Sequence, residues 1–557
     1  MLFECSQDPE HSCGVSEGSC IDLKLIDCKS RHIVSKPSST HYAALSYIWG
    51  GTEAALSEDG PDGPRLASRV SLVIEDAIKA ALYLGFRYLW VDQYCVEQID
   101  KELQERQIEQ MHQVYNSADV TLVAAVGDDA NSGLAAVCPS SEVVTEYFRN
   151  DTLFPYESRW ATSGLSRSLR CIRESVWNTR GWTYQESYVS RRVIIFHGYG
   201  IYFECLYVES VLNQFRILGG TGADQGIENG PRMRNFAKYR RGDVMFWLTQ
   251  SIVEYSQRTL RYQNDTIRAF SAILQDFEGN MSVPFHDEDY RNPYFGFYNY
   301  ESPWRIVTVQ GVPFYERLPP SPIYSSAIPS HLWLPGDRLN TTGLCWHYDH
   351  CTGGDNASSR KPNFPSWSWA GWTCPIKWRI PKLRSPYGSR GNQTGTIFHL
   401  EDMGFIEKLE SSQGLEINEA KQAQHALLCF SSVSFPAEAF LAEDFLVVDP
   451  GKQADHMICL YEYIIAWPKE GYLCYSEGLS AVLEGLQQGT HRLVLLNVHF
   501  TAYFIEFQAW MLRKCETGKS CYERIGSGYH EIERDTRLTK YLEDLVEDTK
   551  LERFNIC

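Results

Sequence analysis

Two acids and the aromatic residues near them carry most of the chemistry that this sequence offers. Asp92 stands directly after the apolar run Tyr88-Leu89-Trp90-Val91, and Glu186 follows Trp182 by four positions. If Trp182–Tyr188 is helical, Trp182 and Glu186 lie one turn apart on one face. An indole beside a carboxylate makes a half-apolar pocket that raises the acid's pKa and accepts a flat ring. The same spacing suits a core tryptophan and a surface or salt-bridged acid. Ser46, Tyr47 and Trp49 end a second apolar run that enters the turn Gly50-Gly51. Gln93, Cys95, Asp128 and Asp129 reach the same edge, although the polar turn over 127–133 is what any turn looks like. Cys95 with His112 is a candidate nucleophile and base, but no acid stands where it would orient the histidine. Cys5, Cys13, Cys20 and Cys28 are spaced too widely for a zinc ribbon. The close group Cys345, His347, His350 and Cys351 lacks further paired ligands, so no metal site is expected.

These residues need a scaffold, and the pattern around them supplies one. Tyr88–Val91 is too short for a helix and rich in strand-forming residues. Val70, Val73, Ala77, Ala81 and Leu84 repeat at helical spacing, and Gly85 ends that helix. Ile108, Met111 and Tyr115 mark a helix over 102–115. Further strands are expected at 120–126, 192–196 and 201–205, with an edge strand at 21–26. Strands alternating with helices imply a parallel sheet covered by helices, and ligands bind such sheets beyond the carboxyl ends of the strands. Residues 138–175 read as an irregular insertion, 217–232 as a linker, and 234–277 as helical. From about residue 330 short strands separated by polar turns predict a β-rich region. Trp367 and Trp369 are expected on one strand face as core anchors, and 542–554 as a charged amphipathic helix. The expected division is an N-terminal segment 1–40, an α/β domain 41–210, a linker and helical region 211–330, and a β-rich region 331–557.

Composition narrows the function classes. The 557 residues are 43% hydrophobic and 13% aromatic, which describes a folded chain too long for one core. A net charge of -18 argues against broad nucleic-acid binding, which needs clustered Lys and Arg. No apolar stretch reaches membrane-spanning length, and the first residues lack a charged and then apolar leader pattern. The 17 cysteines are then expected as reduced thiols of a cytoplasmic protein.

Five ordered blocks resemble the heterokaryon incompatibility (HET) domain family of filamentous fungi. They are Ala44–Gly50, Leu89–Gln98, Met111–Ala118, Trp177–Glu186 and the strand Arg192–Phe196. Tyr255–Arg258, Asp265–Ala269 and Pro365–Trp369 resemble the region that follows this domain in many members. Gln93-Tyr94 departs from the pattern, replacing the smaller residues often seen between the acid and the cysteine. The family is associated with non-self recognition between fusing cells and with a cell-death response. Its domain is distantly similar to Toll/interleukin-1 receptor (TIR) domains, which implies a TIR/flavodoxin-like α/β sheet. On that likeness Leu45-Ser46-Tyr47 corresponds to the first strand and Val91-Asp92 to the second. Trp182–Glu186 corresponds to the TIR Trp-Cys-x-x-Glu helix, with Thr183 in place of the cysteine. The resemblance therefore implies Glu186 as a catalytic residue that cleaves the nicotinamide–ribose bond of NAD. Ser46, Tyr47, Trp49, Asp92 and Trp182 would form the binding cleft, with NAD as substrate and no resident cofactor. It also implies self-association and a protein partner for recognition, with neither nucleic acid nor membrane as partner. The alternative is a non-catalytic signalling or assembly module of the same fold.

Overall fold

The computed structural model describes Leu2, Cys5, Cys13 and residues 23–37, 39–51, 56–60, 63–134, 164–198, 200–205, 208–211, 214–217 and 244–278. Further along it describes 304–317, 339–340, 344, 346–348, 360–373, 375–378, 405–411, 426–432, 434, 457–460, 463–466, 474–475, 479–500, 504–515, 521–533 and 552–557. The chain forms two compact units: residues 1–240 with 258–273, and residues 241–257 with 274–557.

The first unit is built on strands β1 (Leu23–Asp27), β2 (Ile33–Lys36), β3 (Tyr42–Ser46), β4 (Leu56–Gly60), β5 (Gly63–Leu66), β6 (Tyr88–Val91), β7 (Val120–Ala124), β8 (Arg192–His197), β9 (Gly200–Cys205), β10 (Val208–Val211) and β11 (Gln214–Ile217). Nine of them form one sheet in the order β11-β10-β9-β8-β7-β3-β6-β1-β2, and β4 and β5 form a separate hairpin. The pairs β3–β6, β3–β7 and β7–β8 are parallel. Every residue of β3, β7 and β8 is buried, as expected for strands covered on both faces. The four parallel strands lie in the order second, first, third, fourth, which is the flavodoxin-type winding. Its topological switch point, where ligands bind, falls between β3 and β7. Antiparallel strands extend the sheet on both sides, so it is mixed.

The connecting helices explain the rigidity of β3. The helix Met111–Ser117 is pinned by two tyrosines: Tyr42 Oη donates to the Val114 carbonyl at 2.6 Å, and Tyr115 Oη to the Leu45 carbonyl at 3.1 Å. The Tyr115 ring also meets Trp90 edge-on, 5.2 Å between centroids. The helix Leu72–Tyr83 ends as its sequence predicts, with Gly85 at a φ of 90° and Phe86 N–H reaching back to the Ala81 carbonyl.

Several local expectations are corrected. The helix expected over 102–115 is two, Lys101–Glu109 and Met111–Ser117. The first is capped by the Asp100 carboxylate, and the break falls at Gln110. The strand expected at the sheet edge is β1, yet β2 pairs outside it and takes the edge. Within the stretch read as irregular, Gly164–Glu174 is a helix; 135–163 lie outside the described residues. Residues 214–217 are a strand, and 218–243 lie outside the described residues.

The second unit is β-rich, as expected. Its main sheet runs in the order Trp304–Val309, Val312–Arg317, Leu339–Asn340, Phe405–Ser411, Ala426–Ser432, Glu552–Ile556, Tyr522–Glu533, Phe504–Lys514, His491–Phe500. Trp367 and Trp369 are buried core residues but share no strand, because Trp369–Gly371 is a 3-10 turn. The indole N–H of Trp369 is satisfied by the Gly311 carbonyl at 2.7 Å. The amphipathic helix expected over 542–554 is not formed at its end. Glu552–Ile556 is instead a strand, whose apolar Phe554 and Ile556 are buried against Ala426–Ser432. Of the close cysteine–histidine group only His347 is described, in the strand Trp346–Tyr348. Among the described residues no helix is long and apolar enough to cross a membrane.

Candidate functional site

The site grows from the carboxyl ends of β3 and β6 in the first unit. Ser46 is the last residue of β3, and Asp92 follows β6 and opens the four-residue helix Asp92–Cys95. The register Leu45↔Val91 sets these two ends side by side. The helix Gly181–Val189 supplies Trp182 and Glu186. Its first residue has to be small, since a Cβ on Gly181 would come within 2.4 Å of Leu260. The backbone there is tied to the Thr259 carbonyl at 2.8 Å.

The Glu186 carboxyl group points into the sheet. It accepts a short hydrogen bond from Ser46 Oγ, which in turn accepts the indole N–H of Trp177 at 2.8 Å. Only 6% of Glu186 is exposed. Burial pushes its carboxyl above the usual range, held back in part by Ser46, Arg180, the Tyr115 hydroxyl and Arg258. Asp92 accepts the indole N–H of Trp49 on both oxygens, at 3.0 and 2.9 Å, and the Gln93 backbone N–H at 2.8 Å. Its carboxyl is pushed up to about 7, first by burial and then by the charge of Glu186. Two acids in one electrostatic field thus hold on to protons that exposed carboxyls release. An acid whose carboxyl titrates near neutral pH, as Asp92 does, can serve there as a proton donor or acceptor.

The other expected cleft residues are placed as follows. Tyr47 Oη donates to Gln93 Oε1 at 2.7 Å, joining the β3 end to the Asp92 helix. Arg180 Nη1 donates to the Tyr47 carbonyl at 2.5 Å. Trp49 is half-buried and contacts the acid pair through Asp92. Trp182 is half-buried against the sheet core and hydrogen-bonds Asp265. Ser46, Trp49, Asp92 and Glu186 are therefore brought together, Tyr47 borders them through its hydroxyl and carbonyl, and Trp182 turns toward Asp265. The loop after Trp49 is held close: Gly50 has a φ of 68°, and a Cβ there would lie 2.6 Å from the Asp129 Cβ. Asp129 itself closes its own turn onto Asn131 N–H and Ser132 Oγ, so its role is structural.

The cysteine–histidine pair does not form. Cys95 Sγ accepts the Val91 N–H at 3.4 Å, and burial pushes the thiol up to about 12. His112 Nδ1 lies 2.9 Å from the Glu109 carbonyl of its own turn. A cavity of about 780 Å³ between Arg31, Arg65, Arg69, Glu75 and Lys79 includes none of the expected site residues.

Sequence reasoning missed four contributors: Trp177, Arg180, Tyr115 and Arg258. Trp177 and Arg180 lie within the same quoted block as Glu186, and the signal was there in a tryptophan and an arginine just before a helix. Arg258 gives no such signal. Its guanidinium lies 4.6 Å over the Tyr184 ring and donates to Asn178 Oδ1 at 2.6 Å, contacts made 74 and 80 positions away.

Residues 42–186 match the profile of the family described as heterokaryon incompatibility protein (HET). The match opens on the first residue of β3 and closes on Glu186, so it spans the acid pair and its partners except Arg258. A 155-residue stretch is 28% identical to heterokaryon incompatibility protein 6, OR allele, of Neurospora crassa. That stretch is 26% of this chain and 22% of that protein, so the chain covers under a quarter of this relative's length. No solved structure matches the chain. Residues 42–186, which hold Ser46, Trp49, Asp92 and Glu186, are thus similar to the heterokaryon incompatibility (HET) domain.

Proposed function

We propose that this chain is a cytoplasmic heterokaryon-incompatibility protein of non-self recognition and cell-death signalling, whose α/β domain cleaves the nicotinamide–ribose bond of NAD. One observation carries the reading: Glu186 is turned inward onto Ser46 at the carboxyl end of β3, in the field of Asp92 and beside the Trp49 loop. Loss of nicotinamide leaves an oxocarbenium-like ribose. An ionised Glu186 stabilises that charge, as acids do in glycoside hydrolysis. Ser46 and Trp177 fix the carboxylate's direction, and Arg180 keeps it ionisable despite burial. Trp49 offers a ring face for nicotinamide or adenine. Asp92, protonated more readily than an exposed acid, sits near a pyrophosphate with less repulsion than a full charge would give. Because Glu186 is nearly closed off, substrate entry requires the Trp49–Gly51 loop or Arg180 to shift. Self-association completes the active form, and a second protein supplies the recognition.

A second reading is a non-catalytic assembly module. The same burial favours it, because a carboxyl bonded to Ser46 also locks the helix Gly181–Val189 to the sheet. Incubating the purified full chain with NAD, beside its Glu186→Ala variant, separates the two. Nicotinamide release by the parent chain and none by a folded variant supports catalysis. Growth arrest retained by the variant in cells, with no release by either protein, supports the assembly module.

A further inference from the structure

The second unit brings together three thiols, Cys515 and Cys521 close in sequence and Cys557 42 positions after the first. Cys515 follows the strand Phe504–Lys514, Cys521 precedes Tyr522–Glu533, and Cys557 follows Glu552–Ile556. The registers Lys514↔Tyr522 and Tyr522↔Ile556 align these three strand ends at one corner of the sheet. Backbone bonds then fix each position. Cys515 N–H donates to the Cys521 carbonyl at 2.9 Å, and Cys557 N–H to the Tyr522 carbonyl at 2.9 Å. Ser366 N–H holds the Cys557 carbonyl from the other side, also at 2.9 Å. The side chains are thus positioned by pairing of the main chain, before any ligand arrives.

The three Sγ atoms all lie within 4.8 Å of one another, and those of Cys515 and Cys557 are 3.2 Å apart. A tetrahedral zinc ion with Zn–S bonds of about 2.3 Å needs sulfur atoms about 3.8 Å apart, which falls inside that range. From this geometry we infer that Cys515, Cys521 and Cys557 form a three-thiolate site for Zn²⁺, with the fourth position open to water. Cys521 is buried while Cys515 and Cys557 are half-buried, so an ion can enter from solvent. The nearby Glu523 carboxylate is engaged by Arg360 at 3.2 Å and Arg513 at 2.7 Å and is no competitor for the metal. Each sulfur binds the ion as a thiolate, so each thiol gives its proton to solvent as the S–Zn bond forms.

The first unit holds a second group, Cys5, Cys13 and Cys205, which serves as the internal control. There Arg192 Nε–H donates to Cys5 Sγ at 3.2 Å, and a guanidinium beside the sulfur repels a dication. The two groups therefore contrast a thiol cluster with a guanidinium on one sulfur and a cluster whose neighbouring guanidinium groups are engaged by Glu523.

The test uses the full chain, reduced and stripped of metal, titrated with Co²⁺ as a spectroscopic stand-in and then with Zn²⁺. The expected result is an intense sulfur-to-cobalt absorption that saturates at one equivalent and is displaced by Zn²⁺. The Cys515→Ser/Cys557→Ser variant should lose that equivalent, whereas Cys5→Ser/Cys13→Ser should keep it. Should the first variant fail to fold, alkylation of the parent chain decides. Zn²⁺ should slow labelling of Cys515 and Cys557 at least tenfold, and a chelator should restore it. No sulfur-to-cobalt band in the parent chain, or labelling indifferent to Zn²⁺ and chelator, overturns the assignment.

Discussion

The two edges of the parallel sheet treat their acids in opposite ways. At the amino-terminal edge, Asp27 lies opposite the first residue of β6 and meets Arg87 Nη2 at 2.6 Å. Burial alone would raise its pKa, but Arg87 and the N–H groups of Lys29 and Ser30 more than offset this and hold it below the usual range. At the carboxyl-terminal edge burial raises both Glu186 and Asp92, and the charge of Glu186 raises Asp92 further. An arginine is present there too, yet Arg180 donates to the Tyr47 carbonyl and acts on the acids only from a distance. Asp27 lies less deep than the other two acids and meets a guanidinium and two N–H groups, which together keep it ionised. The edge with the guanidinium contact keeps its acid ionised, and the edge without one holds its acids' protons to higher pH.

That contrast can be broken by substitution. The largest effect is expected from Glu186→Gln, which preserves shape and the Ser46 contact. Nicotinamide release should fall by about 10²–10³-fold, the scale of losing one charge-stabilising group, with little change in melting temperature. A parallel loss of folding would move Glu186 to the structural side of the comparison. Gly50→Ala should destabilise the first unit by about 1–3 kcal/mol in denaturant unfolding, from a left-handed φ and contact with Asp129. Asp27→Asn should cost about 1–3 kcal/mol by the same assay, while activity per folded molecule is unchanged.

The pH dependence sharpens the contrast. Asp92 has a folded pKa of about 7, above the ordinary 3.8. The folded state therefore binds its proton more tightly than the unfolded chain does. The stability it contributes is complete below about 3.8 and is lost as pH rises through about 7. Asp27 is lowered, so its contribution is present at neutral pH and lost as pH falls through its folded value. Asp92→Asn should flatten the decline in stability between pH 4 and 7, and Asp27→Asn should flatten only the acid side. The smallest effect is expected from Cys95→Ser, whose thiol stays protonated and whose activity should be unchanged.

Much of this was legible in the sequence, for physical reasons that differ by element. Buried parallel strands such as Tyr88–Val91 announce themselves as short apolar runs bounded by polar turns, and β3, β6 and β8 were found that way. The convergence of Ser46 and Asp92 follows from strand ends in a parallel sheet meeting at one edge, and Glu186 joins them from the helix Gly181–Val189. Trp182 was misleading in detail, since its i, i+4 spacing from Glu186 gives a shared helix face but not a shared partner. The terminal strand Glu552–Ile556 was hidden because charged residues precede it and its main partner, Ala426–Ser432, lies over 100 positions upstream. The corner of Cys515, Cys521 and Cys557 was invisible because Cys557 joins the other two only when the terminal strand pairs beside Tyr522.

Infrared difference spectroscopy of the protonated-carboxyl band, followed from pH 4 to 9, tests the central contrast most directly. The parent chain should keep a carboxyl band at pH 6 that disappears near 7, and Asp92→Asn should lack that transition while Asp27→Asn retains it. A parent chain whose carboxyl bands are all gone by pH 5 would contradict the assignment of a proton-holding acid pair to the carboxyl edge.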